Sequence, residues 1–149
     1  MISKRRRTKT NEQAFWNLMA EIYGSEVRND EHKFEEFYIN DFPLVKQSCG
    51  FDENANKTIK ILKNAGYRVV LATNPLFPKI ATKQRIEWAG LEFDDFELVT
   101  TYENSCYSKP NLGYYEEILN KINCQPKECL MVGNDVSEDM IAKKLTQNK

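Results

Sequence analysis

The spacing of apolar and polar positions changes character near residue 50. Before it, Phe15, Leu18, Met19 and Ile22 recur at i, i+3, i+4 and i+7, one face of a helix that Gly24 can end. A second helix from about Asp30 carries Phe34, Phe37 and Tyr38 on one side and is closed by Phe42-Pro43. Two amphipathic helices with no strand between them predict a helical subdomain over residues 12–48.

Beyond Cys49-Gly50-Phe51-Asp52 the period alternates between helix and strand. Ala55, Ile59, Leu62 and Ala65 mark a helix stopped by Gly66, and Val69–Ala72 follows as a continuous apolar strand ending at Thr73-Asn74-Pro75. Pro78 opens a helix through Ile80, Ile86 and Trp88 to Gly90, and Glu97–Thr101 reads as a second strand. A loop through Ser105–Pro110 leads to a helix with Leu112, Tyr115, Leu119 and Ile122 on one face. Leu130–Val132 then reads as a third buried strand, and Ser137–Leu145 has helical spacing. Strands alternating with helices predict an α/β unit over residues 49–149, with a parallel sheet and right-handed crossovers.

Composition narrows the function. A chain of 149 residues is about one domain, and 41% hydrophobic with 29% charged residues is ordinary for a globular protein. A formal net charge of -1 gives no bulk attraction to nucleic acid or to anionic lipid, so a small partner is expected. Lys4, Arg5, Arg6, Arg7 and Lys9 read as a solvated, disordered basic terminus over residues 1–11. No apolar run approaches the ~18 residues of a membrane span, and Met1–Lys4 runs into the arginines without a secretion-signal core, so the expected compartment is cytoplasmic. His32 is the only histidine, and Cys49, Cys106, Cys124 and Cys129 have no CxxC spacing, which gives zinc sites and histidine-activated nucleophiles little support. The glycines are scattered, so no phosphate-cradling glycine loop is present.

Three polar groups stand at strand ends or just beyond them: Thr73, then Lys109 before a proline, then Asp135 with Asp139. A hydroxyl donor, a fixed cation and a carboxylate pair converging on one crevice grip a phosphoryl group together with a divalent metal. Asp135 also reads as a helix N-cap with Glu138 three residues on, and cap and metal site both stay open on that stretch. In this order the three resemble the motifs of the haloacid dehalogenase-like hydrolase superfamily. Val69-Val70-Leu71-Ala72-Thr73-Asn74 is similar to its second motif, Ser108-Lys109-Pro110-Asn111 to its third, and Met131-Val132-Gly133-Asn134-Asp135-Val136-Ser137-Glu138-Asp139 to its fourth, across roughly residues 50–145. The resemblance implies a Rossmann-like parallel sheet with helices on both faces, with residues 12–48 as part of a helical cap. It implies magnesium-dependent phosphatase-type hydrolysis of a small phosphorylated metabolite through an aspartyl-phosphate. In it Thr73 and the Asn74 N–H hold phosphoryl oxygens, and Lys109 neutralises charge. Asp135 binds Mg2+, Asp139 supports the metal and orients Lys109, and Asn134 and Ser137 are outer partners.

One motif of that family is missing. None of Asp30, Asp41, Asp52, Asp94, Asp95, Asp135 and Asp139 has another aspartate two positions later, so the Asp-x-Asp nucleophile pair is absent. The family's first strand, which carries that pair, lies between the strands of the second and fourth motifs. Without it Val69–Ala72 and Leu130–Val132 are expected to flank a slot about 10 Å wide, two strand spacings. The expectations are an internal piece of a longer hydrolase lacking the first strand and a C-terminal strand, or a non-catalytic remnant that binds phosphate.

Overall fold

The computed structural model describes residues 8–147, so Lys4–Arg7 of the basic terminus lie outside the described residues. Among the described residues, eight regular elements follow one another: α1 (Asn11–Tyr23), α2 (Glu31–Asn40), α3 (Glu53–Asn64), β1 (Val70–Leu71), α4 (Lys79–Trp88), β2 (Leu98–Val99), α5 (Leu112–Ile122) and α6 (Lys144–Gln147). Short 3-10 turns, such as Phe42–Ser48 and Met140–Lys143, join some of them.

Both strands lie in one parallel sheet, with Val70 opposite Leu98 and Leu71 opposite Val99. The ladder extends past each end, where Glu97 N donates to Val69 O at 2.9 Å and Thr100 N to Leu71 O at 3.1 Å. Because side chains alternate across a strand, the two faces build two cores. On one, Val69, Leu71 and Val99 meet Ile59 of α3 and Ile86 of α4, with Leu91 and Phe96. On the other, Val70, Ala72 and Leu98 meet Tyr114, Tyr115 and Ile118 of α5. Helices packed against both faces of a parallel pair make this an α/β arrangement; the complete Rossmann-like sheet that was expected is not formed among the described residues.

The third expected strand takes a different form. Leu130–Val132 joins no ladder. Its residues still alternate: Met131 packs against the α5 core, whereas Leu130 is 88% and Val132 80% exposed. Paired backbone is what turns an apolar run into a strand, and here the neighbour is lacking. The Ser137–Leu145 helix is also broken up, into a turn, the 3-10 turn Met140–Lys143 and α6. The Asp135 carboxylate draws the Ser137 and Glu138 N–H groups into that turn.

The helical segment packs through aromatic rings. Trp16 stands edge-on to Phe15 and Phe34, at centroid distances of 5.1 and 5.0 Å, and Phe42 stacks on Trp88 of α4 at 5.3 Å. The buried side of α1 centres on Trp16, 5% exposed, while Leu18 and Ile22 of the expected face remain exposed. The reason is the direction from which the rest of the chain arrives: the α1 N-terminus is hydrogen-bonded to the loop after β2, where Glu12 N donates to Tyr102 O at 3.0 Å. No described helix is long and apolar enough to cross a membrane.

Tyr114, wholly buried, ties α5 to the sheet rim: its hydroxyl donates to Thr73 O at 2.6 Å and lies 2.9 Å from Thr100 Oγ1. Burial pushes this phenol well above its ordinary pKa, so it stays a neutral donor. Tyr114→Phe should lower stability by about 1–3 kcal/mol, read as a lower urea midpoint at unchanged m-value; no change in midpoint would show that the bond contributes nothing.

Candidate active site

Each expected site residue sits just past a strand end or in a loop that α5 holds. Thr73 follows β1. Its carbonyl accepts from Tyr114 and, at 2.7 Å, from Thr100 Oγ1, while its side chain borders a cavity of about 220 Å³ shared with Leu71, Thr82, Arg85 and Ile86. Lys109 lies in the loop after β2. That loop is fixed to α5 where Cys106 N donates to Glu117 Oε2 at 2.9 Å. The Asp135–Asp139 turn is held to the same helix by Tyr115, whose hydroxyl donates to Glu138 O at 2.6 Å.

These loops meet through one line of contacts. Lys109 N donates to Asn74 Oδ1 at 3.3 Å, Lys109 Nζ pairs with Asp139 Oδ1 at 2.5 Å, and Asp139 Oδ2 accepts from Asp135 N at 3.2 Å. The central pair is withdrawn from water, with the Lys109 and Asp139 side chains only 9% and 5% exposed. Burial pushes the Asp139 carboxyl up, but the Lys109 ammonium and the Asp135 N–H outweigh it and hold the group below its ordinary value. Asn74, Lys109, Asp135 and Asp139 are thus brought together. Asn134 is exposed, and Thr73 reaches the group through its neighbour Asn74.

Gly133 explains how the carboxylate fits. A Cβ on it would lie 2.7 Å from Asp139 Cβ and closer still to the carboxylate, so the backbone passes under Asp139 only because residue 133 has no side chain.

The two aspartates differ in what they leave available. Asp135 is exposed, and its Oδ1 accepts from Ser137 N at 2.8 Å, Ser137 Oγ at 2.6 Å and Glu138 N at 2.8 Å. The Ser137 hydroxyl, followed by the Glu138 N–H, pulls the Asp135 carboxyl below its ordinary pKa. The helix cap expected at Asp135 does not form: its Oδ1 organises a turn with no helix behind it, and its N–H goes to Asp139 and not to Glu138, while its Oδ2 has no donor among the described residues. Asp139 has both oxygens engaged. No cluster of three or more His, Cys, Asp or Glu able to hold a metal ion occurs among the described residues. One open carboxylate oxygen fits Mg2+, which keeps several waters and takes one or two carboxylates together with substrate phosphate. It does not amount to an all-protein cage.

Two outcomes follow. Gly133→Ala should displace Asp139 and cost roughly 1–3 kcal/mol through overpacking, visible as a lower denaturant midpoint; wild-type stability would contradict the close approach. Because the Asp139 and Asp135 carboxyls are held below the ordinary aspartate range when folded, the stability they contribute should be fully present above that range and fade as pH falls through the depressed values. Urea midpoints that stay constant between pH 5 and 2 would contradict it.

The chain is 32% identical over 88 residues to a glyceraldehyde 3-phosphate phosphatase of Methanothermobacter thermautotrophicus, a match covering 59% of this chain and 38% of that protein. It is 28% identical over 91 residues to the pyrophosphatase PpaX of Bacillus velezensis, covering 61% of this chain and 41% of the relative. The matches thus span about two fifths of the length of these curated relatives. No solved structure matches. The haloacid dehalogenase-like hydrolase profile matches residues 4–144, and the chain belongs to that family.

Proposed function

We propose that the chain forms part of a magnesium-dependent phosphatase acting on small phosphate esters, its nucleophilic aspartate supplied by a strand that fills the slot between β1 and Leu130–Val132. The observation that carries this reading is the buried Lys109–Asp139 pair, which leaves an ammonium fixed at the rim beside the Thr73-Asn74 turn. The printed names of the two relatives, a phosphatase and a pyrophosphatase, support the reaction class.

In this reading the Thr73 hydroxyl and the Asn74 N–H donate to phosphoryl oxygens. Lys109 offsets the negative charge shared by nucleophile and phosphate, a preorganised electrostatic role. Asp139 fixes the ammonium and compensates its charge. Asp135 holds the metal through its open oxygen, Asn134 faces the substrate side, and residues 12–48 act as part of a cap. Bound Mg2+ would supply charge neutralisation and orientation of the phosphate. The aspartate oxygen attacks phosphorus and the ester P–O bond breaks; water then displaces the aspartate and releases inorganic phosphate.

A second reading, a phosphate-binding module without turnover, is favoured by the missing Asp-x-Asp pair. Purified residues 1–149 should bind inorganic phosphate and hydrolyse small phosphate esters no faster than background. Lys109→Met should weaken phosphate binding at least about tenfold, close to 1.4 kcal/mol. Restoring an upstream Asp-x-Asp strand should switch turnover on, whereas a complemented chain that binds phosphate without turnover would favour the second reading. Turnover by the chain alone would contradict the absent nucleophile, and failure to bind phosphate would remove the site itself.

A further inference from the structure

We infer that Asn11, in the helical segment, is a positioning residue that sets the spacing between the Thr73-Asn74 turn and the Lys109 loop. The inference rests on the phosphate reading of that site and adds to it a residue far away in sequence. The Asn11 side-chain Nδ2 donates to Pro75 O at 3.1 Å and to Tyr107 O at 3.2 Å. Pro75 stands two residues after Thr73 and Tyr107 two residues before Lys109, so one carboxamide holds both loops.

The backbone reinforces the clamp, since Asn11 N donates to Ser105 O at 2.8 Å and Glu12 N to Tyr102 O at 3.0 Å. These are donors of the first helical turn, which have no partner within a helix. The helix does not need the Asn11 side chain for its own start: Thr10 Oγ1 accepts from Gln13 N at 3.2 Å, and Gln13 Oε1 accepts from Thr10 N at 3.1 Å. That leaves the carboxamide to serve the tertiary contact. Its NH2 group provides two N–H donors for two carbonyl acceptors, a match that aspartate, with acceptors alone, lacks. Nearer the strand ends the two loops are joined directly, by Thr100 Oγ1 to Thr73 O at 2.7 Å and Tyr102 N to Phe77 O at 3.0 Å, and at Lys109 itself by the Asn74 bond at 3.3 Å. The Asn11 carboxamide adds to these a contact on the Tyr107 carbonyl, two residues before Lys109.

Four chains of residues 1–149 test it: the unsubstituted protein, Asn11→Ala, Asn11→Asp and Gln13→Ala. The last removes the capping box and loosens the same helical turn without touching either loop. Asn11→Ala and Asn11→Asp should each weaken inorganic phosphate binding about tenfold and speed amide exchange at Lys109, while Gln13→Ala, at similar overall stability loss, leaves both near wild type. In the unsubstituted chain the Asn11 carboxamide protons should exchange slowly, a measurement that holds even if a variant fails to fold. Rapid exchange there, wild-type phosphate affinity in Asn11→Asp, or an equal effect of Gln13→Ala would overturn the assignment. If the unsubstituted chain binds no phosphate, the phosphatase reading fails, and amide exchange at Lys109 alone decides the role of Asn11.

Discussion

The site depends on two opposite charges kept out of water together. Lys109 and Asp139 are nearly fully buried and 2.5 Å apart, and either one alone would be an uncompensated buried charge, a change that typically costs about 3–5 kcal/mol. That requirement fixes more than the pair. Asp139 reaches Lys109 only because Gly133 has no side chain in its way, and its second oxygen takes the Asp135 N–H, which sets the turn that presents Asp135. Lys109 in turn is bonded through its own N–H to Asn74, next to Thr73. Residues of three separate loops thus become neighbours through one line of polar contacts, with α5 and α1 holding the loops from either side.

The sheet beneath the site is a single parallel pair among the described residues. β1 is paired with β2 on one side, and Leu130–Val132 lies extended against α5 without a ladder partner. Met131 and Val70 share the α5 core, whereas Leu130 and Val132 are bare to solvent.

Much of this was legible in the chain. Apolar runs placed β1 and β2; Thr73 follows closely on β1, whereas Lys109 lies ten residues beyond Val99, in a loop positioned by Glu117 of α5 and by Asn74. The carboxylate pair was legible from the Gly133-Asn134-Asp135 turn, but its division of labour was not: which oxygen caps a turn and which meets an ammonium depends on contacts across 30 residues. The Leu130–Val132 strand misled because apolar character records burial, and a strand also needs a partner. Trp16 replaced Leu18 and Ile22 as the buried side of α1 because the docking direction is set by Tyr102 and Phe34. Asn11 gave no local signal, since its partners lie 64 and 96 residues on.

The most direct measurement of the central claim is a double-mutant cycle on the ion pair, comparing Lys109→Met, Asp139→Asn and the double variant by equilibrium unfolding. Each single change should be strongly destabilising and the double change much less so than their sum, with a coupling of about 1–3 kcal/mol. Additive effects, within about 0.5 kcal/mol, would mean that the two side chains do not depend on one another, and the account of the site would fail.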